Sequence, residues 1–92
     1  MKKYEYLYII DPQEEVVRRA IDSIKEQYQS MGVNLLKETD MGKRRLAYEI
    51  DGKTDGFYYV TQIETDDFSR IQDYESDLKL NSEIIRFMRV GL

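Results

Sequence analysis

Asp51-Gly52-Lys53-Thr54-Asp55-Gly56 is the stretch on which the fold turns. It is a cluster of turn-forming residues between two strand-like segments, and it predicts an antiparallel hairpin. Downstream, Phe57 to Glu64 is the returning strand. Upstream, Val33 to Ile50 reads as one long strand with a bend near Asp40-Met41-Gly42. Side chains alternate between faces along a strand, so Leu46, Tyr48 and Ile50 share a face with Arg44, while Lys43, Arg45, Ala47 and Glu49 share the other.

Further out on the N-terminal side, Val17, Ala20, Ile21, Ile24, Tyr28 and Met31 recur at helical spacing. Asp11 is expected as the N-cap of this helix, with Pro12 at its first position and Glu14 closing a capping box. Gly32 supplies a left-handed end. Before the helix, Tyr4 to Ile10 is aromatic and β-branched, with Tyr4, Tyr6, Tyr8 and Ile10 on one side. On the C-terminal side, Thr65-Asp66-Asp67 can cap a second helix, whose stripe is Phe68, Ile71, Tyr74 or Glu75, and Leu78. That helix ends near Asn81, and Glu83 to Val90 makes a fourth strand. The order β-α-β-β-α-β is that of an α+β, ferredoxin-like sandwich: a four-stranded antiparallel sheet with two helices on one face. The fold alone decides no function.

Ninety-two residues, 41% of them apolar, fit a single domain over 1–92. No run approaches the length of a membrane span, and Met1-Lys2-Lys3-Tyr4-Glu5 leads straight into strand-like sequence, so a cytoplasmic location is expected. The chain has neither cysteine nor histidine, which removes disulfides, thiol nucleophiles, thiolate metal sites and the commonest general base. A net charge of -4 argues against binding nucleic acid by global attraction. The charges are segregated, however. Cations gather at Lys2-Lys3, at Lys43-Arg44-Arg45 and at Arg86 and Arg89, and acids crowd positions 11 to 15 and 64 to 77.

Lys43-Arg44-Arg45, at the start of a strand segment behind the bend, is the densest chemical signal and reads as a basic patch for RNA phosphates. The plain alternative is a charged strand edge that blocks edge-to-edge pairing. Gly56-Phe57-Tyr58-Tyr59-Val60 faintly echoes the third-strand motif of RNA-recognition domains, which would stack bases on Phe57 or Tyr59. Asp55 stands where that motif wants a cation, and packing of these aromatics within the sheet competes with the stacking reading. Enzyme readings fare worse. After the first strand an acylphosphatase-like site would need a cationic anion-binding loop, and the chain offers Asp11-Pro12-Gln13-Glu14-Glu15. The carboxylates there, like Asp66-Asp67, are accounted for by capping and the helix dipole. No phosphate loop, nucleophile elbow or metal-ligand spacing occurs, so no cofactor, metal or small-molecule substrate is expected. A regulatory domain that dimerises through its sheet is a third class of reading.

Over essentially its whole length the sequence resembles the bacterial small-subunit ribosomal protein six family. The resemblance is carried by Lys2-Lys3-Tyr4-Glu5, Pro12, the run Gly42-x-Arg44-Arg45-Leu46-Ala47-Tyr48-x-Ile50, and Arg86-Phe87-Met88. It implies a non-catalytic ferredoxin-like protein on the central domain of small-subunit ribosomal RNA. It also implies a heterodimer with the small, basic ribosomal protein eighteen, which would let an acidic chain sit on RNA. The resemblance places Lys2, Tyr4, Arg44, Arg45 and Tyr48 near RNA or partner; charge and strand position add Lys3, Lys43, Arg86 and Arg89. Two departures stand out. Glu49 occupies a place where the family usually has proline, and almost no charged tail follows Val90.

Overall fold

The computed structural model describes residues 1–50 and 52–92. Its elements follow the expected order: β1 Lys2–Ile10, α1 Glu14–Met31, β2 Asn34–Ile50, β3 Lys53–Thr65, α2 Phe68–Lys79 and β4 Ile84–Gly91. The strands form one sheet in the order β2-β3-β1-β4, antiparallel throughout. β1 and β3 are central, and β2 and β4 are the edges. This is the ferredoxin-like architecture.

Both helices pack on the same face. Tyr8 on β1 reaches Tyr28 on α1 and Tyr74 on α2, each hydroxyl pair at 2.6 Å. Strand alternation therefore puts Tyr6, Tyr8 and Ile10 toward the helices, and all three are fully buried. The register Tyr8↔Tyr59 and Tyr6↔Thr61 carries Tyr59, Thr61 and Ile63 of β3 to that side. Ala20, Ile24 and Tyr28 close the layer from α1; Ile71, Tyr74 and Leu78 close it from α2.

A core this rich in tyrosine has to satisfy its hydroxyls, because an unpaired buried polar group costs about 1–3 kcal/mol. Tyr28 also bonds Thr61 Oγ1 at 2.8 Å, Tyr6 donates to Glu75 at 2.6 Å, and Tyr59 donates to Glu38 at 2.9 Å. Among the described residues no buried side-chain polar atom lacks a partner. Burial in this layer pushes the Tyr28 hydroxyl up to about 12 and drives Tyr8 and Tyr74 well above the ordinary tyrosine range. The Lys25 ammonium, 2.9 Å from Glu38, holds that carboxyl below its usual range.

The start of α1 differs from expectation. Gln13, not Asp11, is the N-cap, and Glu14 is the first helical residue, so Pro12 lies outside the helix and no capping box forms. The reason is that the Asp11 carboxylate is taken twice: Oδ1 accepts the Gln13 N–H at 3.2 Å, and Oδ2 pairs with Lys53 Nζ at 3.0 Å. Asp11 makes a short turn ahead of the helix and ties it to the hairpin. The other ends hold. Gly32 ends α1 at φ 70, with Val33 N–H returning to the Tyr28 carbonyl. Asp67 caps α2 by accepting the Ser69 N–H at 2.9 Å.

The hairpin is tighter than its turn cluster implies. Ile50 pairs with Lys53, so Lys53 to Gly56 belong to β3, and Asp51, the first residue of that cluster, lies outside the described residues. Three register shifts interrupt β2, between Leu35 and Lys37, Asp40 and Gly42, and Arg45 and Ile50, and the last two shape the hairpin end. Gly42, at φ 82, sits at a register shift after Asp40, as the bend expected there. Between the pairs Arg45↔Asp55 and Ile50↔Lys53, Leu46-Ala47-Tyr48-Glu49 faces Thr54 alone. This surplus on β2 bulges the strand at the end of the sheet.

Candidate nucleic-acid interface

With the helices on one side, the opposite face of the sheet is uncovered. Register assigns to it Leu7 and Ile9 of β1, Tyr58 and Val60 of β3, and Arg86, Met88 and Val90 of β4. Met88 is 55% and Val90 50% exposed. From β2, Arg44 lies opposite Gly56 and so points to the same face. Leu46 is buried there. A Cβ built on Gly56 would stand 2.5 Å from Ile9 Cγ2 and 3.4 Å from Leu46 Cδ2, so the missing side chain is what lets Leu46 and Ile9 close over β3.

The cations of the chain sort by partner. Arg18, Arg19, Lys25, Lys53, Arg70 and Arg89 each have a carboxylate within ion-pair reach, as in the pair Arg19–Glu83. Lys43, Arg44, Arg45 and Arg86 have none among the described residues. They lie on β2 and on the open face of β4, and none of them is held in an ion pair among the described residues. Arg44 is steadied by donating Nε–H to the Met41 carbonyl at 3.2 Å, across the Gly42 bend. Arg86 donates from Nη1 to the Tyr48 hydroxyl at 3.0 Å. That bond joins the two edge strands across the whole sheet.

The nine residues expected at the site do not form one patch. Arg44, Tyr48 and Arg86 converge at the hairpin end of the open face. Arg45, opposite Asp55, projects from β2 on the other side. Lys43 is opposite Phe57 and lines a shallow groove against Val17 and Ile21 of α1. The Lys43-Arg44-Arg45 triplet lies inside a continuous strand rather than at the start of one. Lys2, Lys3 and Tyr4 stand at the far end: Lys3 is opposite Glu64, and Arg44 is opposite Gly56. Eight residues along β3 at about 3.4 Å each separate those two ends by roughly 27 Å.

Tyr4 and Arg89 belong to the helix-side packing. The Tyr4 ring lies 5.9 Å from that of Phe68. The Arg89 guanidinium sits 4.8 Å from the Phe68 centroid and 2.6 Å from Glu75, which also holds the Tyr6 hydroxyl. Its charge is neutralised inside the fold. The stacking platform suggested by the third-strand motif is also withdrawn. Tyr59 is fully buried under the helices, and Phe57 packs on the same side, because pairing of Tyr8 with Tyr59 fixes the face of both.

Sequence reasoning missed Leu46 and Gly56, which seat the bulge, and the apolar strip Leu7, Val60, Met88 and Val90. Alternation along β1 gave a signal for the strip, since every residue between Tyr6, Tyr8 and Ile10 must face away. Among the described residues, no group of acidic side chains is arranged to hold a metal ion, and no helix is long and apolar enough to cross a membrane.

The comparisons agree with this arrangement. The family model for "Ribosomal protein S6" matches residues 3–90. A crystal structure of 30S ribosomal protein S6 from Thermotoga maritima is similar at 28% identity and a TM-score of 0.90, covering 99% of this chain and 87% of that one. The C-terminal domain of the MgtC protein from Mycobacterium tuberculosis, at 10% identity and a TM-score of 0.68 over 100% of this chain and 88% of that one, shares the fold alone. With a family match spanning both ends of the sheet and every element of the fold, the chain belongs to the ribosomal protein S6 family.

Proposed function

We propose that this protein is a structural component of the small ribosomal subunit that holds the central domain of its ribosomal RNA together with ribosomal protein eighteen, and that it carries out no catalysis. The observation that carries the reading is the coincidence, at one end of the open face, of cations without ion pairs among the described residues and an uncovered apolar sheet. Phosphate binding is driven by release of counterions, which requires cations free of internal ion pairs. Arg44 and Arg45 meet that requirement on opposite sides of β2, so they can straddle a backbone. Lys43 and Arg86 flank them. Lys2 and Lys3 form a second basic end, with Tyr4 buttressing it from the helix side.

The apolar strip Leu7, Val60, Met88 and Val90 fits a protein surface better than RNA, since it offers no charge and few hydrogen-bonding groups. We assign it to the basic partner, whose cations would add to those of β2. The chain works here as one module, on the ribosome.

Binding of the purified protein to a central-domain ribosomal RNA fragment, with and without ribosomal protein eighteen and across a range of salt, tests this reading. Binding is expected only with the partner. An Arg44→Ala/Arg45→Ala double variant should lower affinity, reduce the salt slope by about 2 and leave the fold intact. Unchanged assembly in that variant would remove both residues from the interface.

A further inference from the structure

The bulge at Leu46–Glu49 has little to hold it. Ladder pairing lapses between Arg45 and Ile50, so among the described residues two side-chain contacts do the work. Leu46 is 8% exposed, seated against Ile9 in the space that Gly56 leaves. Tyr48 is 63% exposed, and its fastening is the 3.0 Å bond from Arg86. β3 and β1 lie between the strands that carry these residues. At about 4.8 Å per spacing the two edges are roughly 14 Å apart, so two long side chains must both extend across the face to meet.

We propose that Arg86 is a positioning residue: it clamps Tyr48, and through it the bulge, so that Arg44 and Arg45 at its root are presented in a fixed geometry to RNA. The proposal rests on the reading that Arg44 and Arg45 contact phosphate. It gives Arg86 a different part from theirs. A cation that meets phosphate contributes to the salt slope; a cation that orders a segment lowers the entropic cost of binding and leaves the slope alone. The Tyr48 hydroxyl is the acceptor that separates the two, because an Arg86–phosphate contact would not need it.

The test uses Arg86→Met, Tyr48→Phe and the double variant, in two arms. In the free protein, the backbone NMR order parameters of Ala47, Tyr48 and Glu49 are expected to fall equally in both single variants and no further in the double, while those of β1 and β3 stay unchanged. In RNA binding with ribosomal protein eighteen, each single variant is expected to lose about three- to tenfold in affinity, the worth of one net hydrogen bond, at unchanged salt slope and without additivity. A silent Tyr48→Phe, or an Arg86→Met that lowers the slope by about 1, would overturn the proposal in favour of direct phosphate contact. If the wild-type protein binds no RNA even with its partner, the RNA reading fails by itself, and the order-parameter arm still decides whether the clamp exists.

Discussion

The two faces of the sheet are made from alternate residues of the same strands, yet they are built to different rules. On the helix-covered face every hydroxyl of the Tyr8, Tyr28 and Tyr74 cluster has a partner, and Lys25 and Arg89 are matched to Glu38 and Glu75. On the open face Met88 and Val90 are half exposed, and Arg44 and Arg86 have no ion pair among the described residues. The difference teaches that the tyrosine layer under the helices satisfies its polar groups internally, whereas the cations without ion pairs lie outside it, along β2 and on the open face of β4. A change in that layer should therefore move stability, and a change outside it should spare stability and move the proposed binding.

The largest effect is expected in alkali. Burial raises Tyr28 from 10 to about 12 and drives Tyr8 and Tyr74 well above the ordinary tyrosine range. A raised folded-state value means that the native protein keeps protons which the unfolded chain releases above pH 10. The stabilisation is complete below pH 10 and is lost as pH rises toward 12 and beyond. At about 1.4 kcal/mol per pH unit for each tyrosine, the three together give a slope of about 4 kcal/mol per unit, enough to unfold a protein of this size. Urea denaturation at pH 9, 10, 11 and 12 checks this. A curve flat through pH 12 would show that the cluster is not buried as a unit.

Truncation separates the faces next. Tyr74→Ala removes a ring that lies edge-on to Tyr6 and beside Tyr28, together with a hydroxyl bonded to Tyr8, and should cost about 3–5 kcal/mol. Val90→Ala, on a half-exposed position of the open face, should stay within about 0.5 kcal/mol while weakening the proposed complex with ribosomal protein eighteen. Equal losses of stability from the two would erase the distinction between the faces.

Much of this was legible in the sequence wherever one periodicity dominates. The alternation of Tyr6, Tyr8 and Ile10, the helical stripe ending at Gly32 and the cap at Asp67 all stand where their local chemistry puts them. Reading failed where two faces look alike or where a partner lies far along the chain. Phe57-Tyr58-Tyr59-Val60 is apolar at every position, so period two gives no contrast, and only pairing with β1 decides that Tyr59 is inside and Tyr58 outside. Asp11 looks like a cap until Lys53 arrives from the hairpin to take its carboxylate. The bulge at Leu46–Glu49 is a matter of register between strands, which composition does not encode. Arg89 and Arg45 are indistinguishable as letters; their neighbours Glu75 and Asp55 come from other elements.

That last pair, both on the helix side of the sheet, gives the smallest test: whether internal pairing, rather than the face alone, decides what a cation does. Arg89 is stacked on Phe68 and bonded to Glu75, and Glu75 also accepts from buried Tyr6. Removing it leaves a partly enclosed carboxylate and an uncovered ring, so Arg89→Ala should cost about 1–2 kcal/mol of stability. Because its charge is already neutralised, the salt slope of RNA binding should not change. Arg45→Ala should do the reverse: stability within about 0.5 kcal/mol, and a slope lower by about 1. The two variants delete the same charge from the same sheet, so global electrostatics would move both slopes alike. Only local pairing, which differs between the residues, predicts that they part.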